Sequence, residues 1–148
     1  MTSEATPVNR RMTGIGRVLV ILYAIMALGA SGRSFVQIAE KFYEAPLAYT
    51  LSAASAVVYI LATLALIFAG RPGWYLVAWV AIVFELVGVL AIGTLSIVMP
   101  DLFAHDTVWS YYGRGYVWIP LVLPVLGLWW LTTHKPAPVA ASREQVAA

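Results

Sequence analysis

The chain has 148 residues and a net charge of +2, and it is 61% hydrophobic but only 11% charged. Soluble domains are about 45–50% apolar and about 25% charged, so this chain cannot cover its apolar surface in water and a bilayer is its expected solvent. The dispersed basic residues give no patch for nucleic acid. The absence of cysteine excludes disulfides and thiolate chemistry.

Four apolar stretches predict four transmembrane helices, at residues 15–38, 48–69, 74–99 and 116–133. Each approaches the length of about 20 residues that an α-helix needs to cross about 30 Å of hydrocarbon. The third is interrupted only by Glu85, and the fourth contains Pro120 and Pro124. The sequence therefore predicts an all-α protein, a four-helix transmembrane bundle with up-down-up-down topology.

The ends of the chain are predicted to be tails. Residues 1–14 are expected to form a cytoplasmic tail, and residues 134–148 a disordered cytoplasmic tail. The arginines before a short apolar run, and the small residues from Ala27 to Gly32, are also typical of a secretory signal peptide. We favour an uncleaved helix, because the helical pattern continues beyond Gly32.

Basic residues predict the orientation. One side of a four-span protein receives both tails and the turn between the second and third spans. That side holds Arg10, Arg11, Arg17, Arg71, Lys135 and Arg143. The other side holds Arg33, Lys41 and Arg114, so the positive-inside rule places both termini in the cytoplasm. We expect a multi-pass protein of the plasma membrane.

The loop before the fourth span is rich in aromatic residues. It is predicted to form a short interfacial helix from Asp101, with its aromatic side chains in the headgroup region. The expected outer aromatic belt consists of Trp109, Tyr111, Tyr112, Tyr116 and Trp118.

Small and polar residues recur at helical spacing on three spans, which predicts the faces that pack together in lipid. The first stripe is Tyr23, Ala27, Ala30, Ser34 and Gln37; the second is Ala48, Ser52, Ser55, Tyr59, Ala62 and Leu66; the third is Ala78, Ala81, Glu85, Gly88, Ile92 and Ser96.

Glu85 lies about 16 Å into its span, near the midplane. A carboxylate there costs about 3 kcal/mol on insertion scales, so it should be protonated, paired or in contact with water. Tyr59 lies at nearly the same depth, and we expect its hydroxyl to hydrogen-bond Glu85. Arg33 is the other candidate partner, and Gln37 completes the candidate polar site. Glu85 is either a functional proton- or cation-binding group or a neutral acid that ties two helices together.

Five residues of the outer loops offer ligands for a divalent metal: Glu40, Glu44, Asp101, His105 and Asp106. Their spacing matches no specific metal signature, so solvated acidic loops are the favoured interpretation. No cofactor is predicted.

Several short motifs carry a resemblance to a family. They are Gly32-Arg33-Ser34 with Gln37, residues 44–49, Glu85-Leu86-Val87-Gly88, residues 107–110, residues 113–116 and residues 120–124. Through these the chain resembles a group of small four-span integral membrane proteins of high-GC Gram-positive bacteria, over most of residues 17–131. The resemblance implies a four-span architecture and no catalytic residues. A looser similarity is to DoxX-like four-span proteins, which carry an acid followed by small residues in a span.

The sequence carries no nucleophile, cofactor or phosphate-binding signature, which favours a non-enzymatic accessory or scaffold component of a membrane complex. Its expected partners are the lipid bilayer and either another membrane protein or a second copy of the chain. One alternative is a small dimeric transporter that uses Glu85 as a proton-linked carboxylate. Another is a membrane enzyme acting on a lipid or quinone at the outer face through Arg33, Glu40, His105 or Arg114.

Overall fold

The computed structural model describes residues 14–136, and every regular element in that range is helical. The four α-helices are α1 (Ile15–Lys41), α2 (Pro46–Ile67), α3 (Pro72–Val98) and α4 (Ile119–Thr133). The first three are long and apolar enough to cross a membrane, as in a multi-pass membrane protein. The predicted tails at residues 1–13 and 137–148 lie outside the described residues.

Two prolines set the starts of α2 and α3. Pro46 and Pro72 occupy the first helical positions, where a missing N–H costs no hydrogen bond and the fixed φ suits the helix. Both helices therefore begin two residues before the predicted boundaries, at 46 rather than 48 and at 72 rather than 74. Only four residues precede each of them, Phe42–Ala45 and Phe68–Arg71, so consecutive helices are close neighbours.

The helices close into a ring, because α1 packs on α2, α2 on α3, α3 on α4, and α4 on α1. The predicted packing faces are largely confirmed. Every residue of the α2 stripe is buried. The residues of the α1 stripe are buried too, except Gln37, which is half-buried. On α3 the buried face also takes in Ile82, Val89 and Gly93, while Gly88 and Ile92 are half-buried. Val, Leu, Ile and Phe dominate the exposed surface, as expected where helices meet lipid.

The region of the fourth predicted span differs from the prediction. Its helix begins at Ile119 rather than 116, and its 15 residues rise about 22 Å, less than the about 30 Å of hydrocarbon. Residues 110–116 meet α4 at an angle of 98°. The residues around this bend with left-handed backbone are Tyr111, Tyr112, Val117 and Trp118. Such φ values are unfavourable for bulky side chains. They are also not those of an α-helix, so α4 does not continue back from Ile119 through these residues.

The α3–α4 segment, residues 99–118, enters the bundle instead of lying on its surface. Val108, Trp109 and Ser110 are buried. The Trp109 ring lies so close to Gly88 that a Cβ there would be 2.7 Å from it. Gly88 lies ten residues before Val98, so Trp109 lies about 15 Å along α3 from its carboxyl end. The predicted outer position of Trp109 is therefore wrong, because α3 leaves room for the indole ring. From Asp101 the chain forms only the three-residue 3-10 helix Pro100–Leu102.

Local hydrogen bonds allow the α3–α4 segment to enter an apolar interior. The Thr107 hydroxyl accepts the main-chain N–H groups of Trp109 and Ser110, and the Thr107 N–H donates to the Ser110 hydroxyl. The main-chain N–H of Tyr111 donates to Oγ of Ser96 on α3. Non-helical backbone is tolerated at membrane depth only when such bonds satisfy it within the protein.

Candidate functional site

Glu85 lies at the centre of the bundle and has no exposed surface. The Tyr23 hydroxyl of α1 donates a hydrogen bond to its Oε2 at 2.7 Å. Its other oxygen, Oε1, has no hydrogen-bond partner. Within residues 14–136, no basic side chain forms an ion pair with it. The carboxyl group is thus held by a tyrosine and keeps one free oxygen.

Tyr23 joins Tyr59, the partner that the sequence predicts, beside the Glu85 carboxyl. The Tyr59 hydroxyl accepts the indole N–H of Trp109 at 3.0 Å, and its ring is tilted against Tyr23 with the centroids 6.3 Å apart. The same hydroxyl also lies close to the Glu85 carboxyl. Because Tyr59 receives its bond from Trp109, its own proton remains free for an acceptor, and Oε1 is a nearby oxygen without a donor.

Sequence reasoning missed Tyr23 because counting residues from the span ends gives the depth of a Cα, not the reach of a side chain. A tyrosine hydroxyl lies several ångströms from its own Cα, and helix tilt shifts it further. Tyr23 does belong to the predicted packing stripe of α1, so that stripe carried the signal that it faces the bundle interior.

Arg33 does not pair with Glu85. Its Nη2 donates to the main-chain oxygen of Asp106 at 2.6 Å. The alternative prediction, that Arg33 pairs with Glu85, is therefore wrong. The α3–α4 segment supplies that carbonyl on the side of the bundle where Arg33 lies. Gln37 also lies apart from the Tyr23–Glu85 pair: it is half-buried, and its Oε1 has no hydrogen-bond partner.

The five candidate metal ligands do not assemble. Within residues 14–136, no three His, Asp or Glu side chains come together in a way that could hold a metal ion. Glu44 Oε2 and His105 Nε2 lie 3.6 Å apart, and His105 stacks on Tyr49. Glu40 and Asp101 are exposed. An ion pair that is half exposed contributes at most about 1 kcal/mol, so this contact joins two loops weakly.

Aromatic side chains from three parts of the chain pack around Glu85. Trp109 inserts from the α3–α4 segment, and Tyr116 of the same segment lies 3.5 Å from the Cβ position at Gly29. On the opposite side, the Tyr23 hydroxyl is 3.4 Å from the Cβ position at Gly127 of α4. This arrangement can hold a carboxyl group together with its proton.

Comparison with protein-family models gives no match for this chain. Comparisons with curated proteins and with solved structures give no match either.

Proposed function

We propose that this protein is an accessory or scaffold subunit of a larger complex in a bacterial plasma membrane, and that it spans the membrane four times with both termini in the cytoplasm. The apolar helices support the membrane location. We propose also that the chain is related to the small four-span proteins of high-GC Gram-positive bacteria that its sequence resembles. The distribution of basic residues supports the orientation.

Contacts at the two ends of the bundle support four crossings. The Tyr75 hydroxyl, at the start of α3, donates to the main-chain oxygen of Leu131, near the end of α4. At the other end, His105 of the α3–α4 segment contacts Glu44, which precedes α2. The α3–α4 segment thus occupies the outer part of the fourth crossing, and the short α4 completes it to the inner side.

The observation that carries the proposed role is a pair of apolar grooves on the exposed surface of α3. Two adjoining grooves of about 430 and 310 Å³ follow α3 and share Val80 and Phe84, and the second extends to Val58 and Leu61 of α2. Helices associate in lipid by van der Waals packing. A groove flanked by branched and aromatic side chains offers a rigid partner helix many such contacts.

Affinity purification from native membrane in mild detergent tests this proposal. Val83 lines the larger groove, and Val83→Trp would fill it. Val125 is an exposed valine on α4, so Val125→Trp is the matched control. We expect a stoichiometric partner that Val83→Trp loses by a factor of ten or more, because overpacking a contact costs about 1–3 kcal/mol. Isolation of the chain without another protein, or equal loss in both variants, would contradict the proposal.

The free oxygen of Glu85 favours a second candidate, a proton-coupled transporter that works as a dimer. A buried carboxyl that retains an unpaired oxygen is suited to take up and release a proton. Four spans are few for a carrier, so a second copy would have to complete the pathway. Purified protein in liposomes should then be dimeric and should move protons with a substrate, and Glu85→Gln should abolish that movement. A monomer that moves no protons would rule this candidate out.

A further inference from the structure

A short chain of polar groups connects the α3–α4 segment to the buried carboxyl of Glu85. The Trp109 indole N–H of that segment donates to the Tyr59 hydroxyl of α2 at 3.0 Å, and Tyr59 lies beside the Glu85 carboxyl of α3. Trp109, Tyr59 and Glu85 are each at most 2% exposed. Water therefore does not replace these contacts, and each group must find its partners within the bundle.

The direction of the hydrogen bonds in this chain depends on the charge of Glu85. Tyr59 has one proton to donate, and its oxygen already accepts the Trp109 N–H. A carboxylate only accepts hydrogen bonds, so it can take the Tyr59 proton through Oε1, which has no other partner. The indole then donates to Tyr59 and Tyr59 to Oε1, while Tyr23 donates to Oε2. All the donors of the network point toward one negative charge.

A protonated Glu85 reverses the last step of that chain. The acid O–H becomes a donor, and the Tyr59 oxygen is the acceptor beside it, because the Tyr23 hydroxyl donates to Oε2 at 2.7 Å. The acid and the indole N–H then compete for one phenol oxygen, and the Tyr59 proton loses its acceptor. Hydrogen bonds to an ionised group are roughly twice as strong as neutral ones, and bonds in a chain strengthen one another. The carboxylate therefore holds the indole more tightly than the acid does.

Movement of the indole would be passed on to the backbone of the α3–α4 segment. The Thr107 hydroxyl accepts the main-chain N–H groups of Trp109 and Ser110, so residues 107–110 form one hydrogen-bonded turn. The bulky residues with left-handed backbone follow this turn at 111, 112, 117 and 118. Such backbone persists only where the surrounding structure holds it, and the buried Trp109 is one of the contacts that do so.

We propose that Glu85 is a proton-operated anchor: it holds the α3–α4 segment firmly as a carboxylate and loosens it on taking up a proton. The titratable groups that face Glu85 are Tyr23 of α1 and Tyr59 of α2, and Tyr116 of the α3–α4 segment lies near Tyr59. The fourth helix contributes none, because Ile119–Thr133 contains no ionisable side chain. Tyrosine ionises only in strongly alkaline solution, so Glu85 is the group whose charge changes first.

The anchor goes beyond the proposed function, since an accessory subunit or a transporter could use a segment that responds to protons. Its failure would leave the partner proposal intact, because that proposal is measured by co-purification.

Hydrogen exchange in the purified full-length protein in detergent tests the anchor. Mass spectrometry follows the main-chain amides of residues 107–112 in the wild type and in Glu85→Gln, after equilibration at each pH. The ratio of the two rates removes the pH dependence that every amide shares. We expect Glu85→Gln to exchange roughly ten times faster than the wild type in alkaline buffer, because only the wild type then has a charge-assisted chain. In acid buffer, where both side chains are neutral, the two rates should be nearly equal.

Tyr59→Phe removes the middle of the chain, so its segment should exchange as fast as that of Glu85→Gln at every pH. Tyr75→Phe is the matched control, because the Tyr75 hydroxyl donates to the main-chain oxygen of Leu131 at the other end of the bundle. It should behave like the wild type in residues 107–112. The indole N–H resonance of Trp109, identified in NMR spectra by its loss in Trp109→Phe, gives a second readout. It should move downfield as the pH rises in the wild type and stay fixed in Glu85→Gln.

A ratio of exchange rates that is the same at every pH would overturn the proposal. A pH-dependent ratio that persists in Tyr59→Phe would overturn it too, since the effect would then not pass through Tyr59. If Tyr59→Phe does not fold, the Trp109 resonance decides. A movement with pH that Glu85→Gln lacks supports the anchor, and a resonance that stays fixed in the wild type refutes it.

Discussion

Replacement of Gly93 by alanine tests whether the α3–α4 segment packs directly on α3. A Cβ at Gly93 would lie 2.5 Å from the Tyr112 ring and 2.8 Å from the Tyr112 main-chain nitrogen. A different rotamer could move the ring but not the nitrogen, so the backbone of the segment would have to shift. That shift would also disturb the adjacent hydrogen bond of 2.9 Å from the Tyr111 N–H to Ser96 Oγ.

The expected change in stability follows from opposing contributions. Alanine in place of a helical glycine stabilises a helix by about 1 kcal/mol. Overpacking costs about 1–3 kcal/mol, and the disturbed hydrogen bond adds about 1 kcal/mol to that cost. We therefore expect Gly93→Ala to lower the free energy of unfolding by about 1–3 kcal/mol net.

Thermal unfolding in detergent, followed by tryptophan fluorescence, measures this change. Gly32→Ala is the matched control, because Gly32 also lies within a helix and has nothing within 4 Å of its Cβ position. The control should be as stable as the wild type or more stable. If Gly93→Ala were as stable as Gly32→Ala, the contact between the α3–α4 segment and α3 would be refuted.

Three further predictions concern the buried network and the topology. Tyr23→Phe leaves Oε2 of Glu85 without its donor and should lower the free energy of unfolding by about 1–3 kcal/mol; an unchanged melting temperature would contradict the bond. Trp109→Phe keeps most of the ring but loses the N–H donated to Tyr59, so it should cost about 1 kcal/mol, against about 3–5 kcal/mol for Trp109→Ala. Equal losses in the two variants would show that the ring is not packed. A reporter fused at Ala148 should be active in the cytoplasm, and export of that reporter would mean that α4 does not complete a crossing.

The candidate site was partly predictable. The depth of Glu85 and its place on a stripe of small residues indicated a buried carboxyl that faces the other helices. The hydrogen bond from Tyr23 was not predictable, because it depends on helix tilt and on the reach of a side chain. The sequence also gave no reason to choose the carbonyl of Asp106 over Glu85 as the partner of Arg33.

The sequence by itself determined the three long helices and the faces on which they pack. Hydrophobic length and helical periodicity are local properties, and in lipid the backbone must satisfy its own hydrogen bonds as a helix. Small residues at helical spacing then mark the face of each helix that packs, whichever helix or segment packs against it.

Only the tertiary structure decided the course of the α3–α4 segment. Composition alone assigns its aromatic residues to the membrane interface, because tryptophan and tyrosine prefer that level. Gly88 and Gly93 instead leave space on α3 for Trp109 and Tyr112, and the segment satisfies its own backbone groups as it enters the bundle. That space exists only once the helices are assembled, since it is formed by residues distant in sequence.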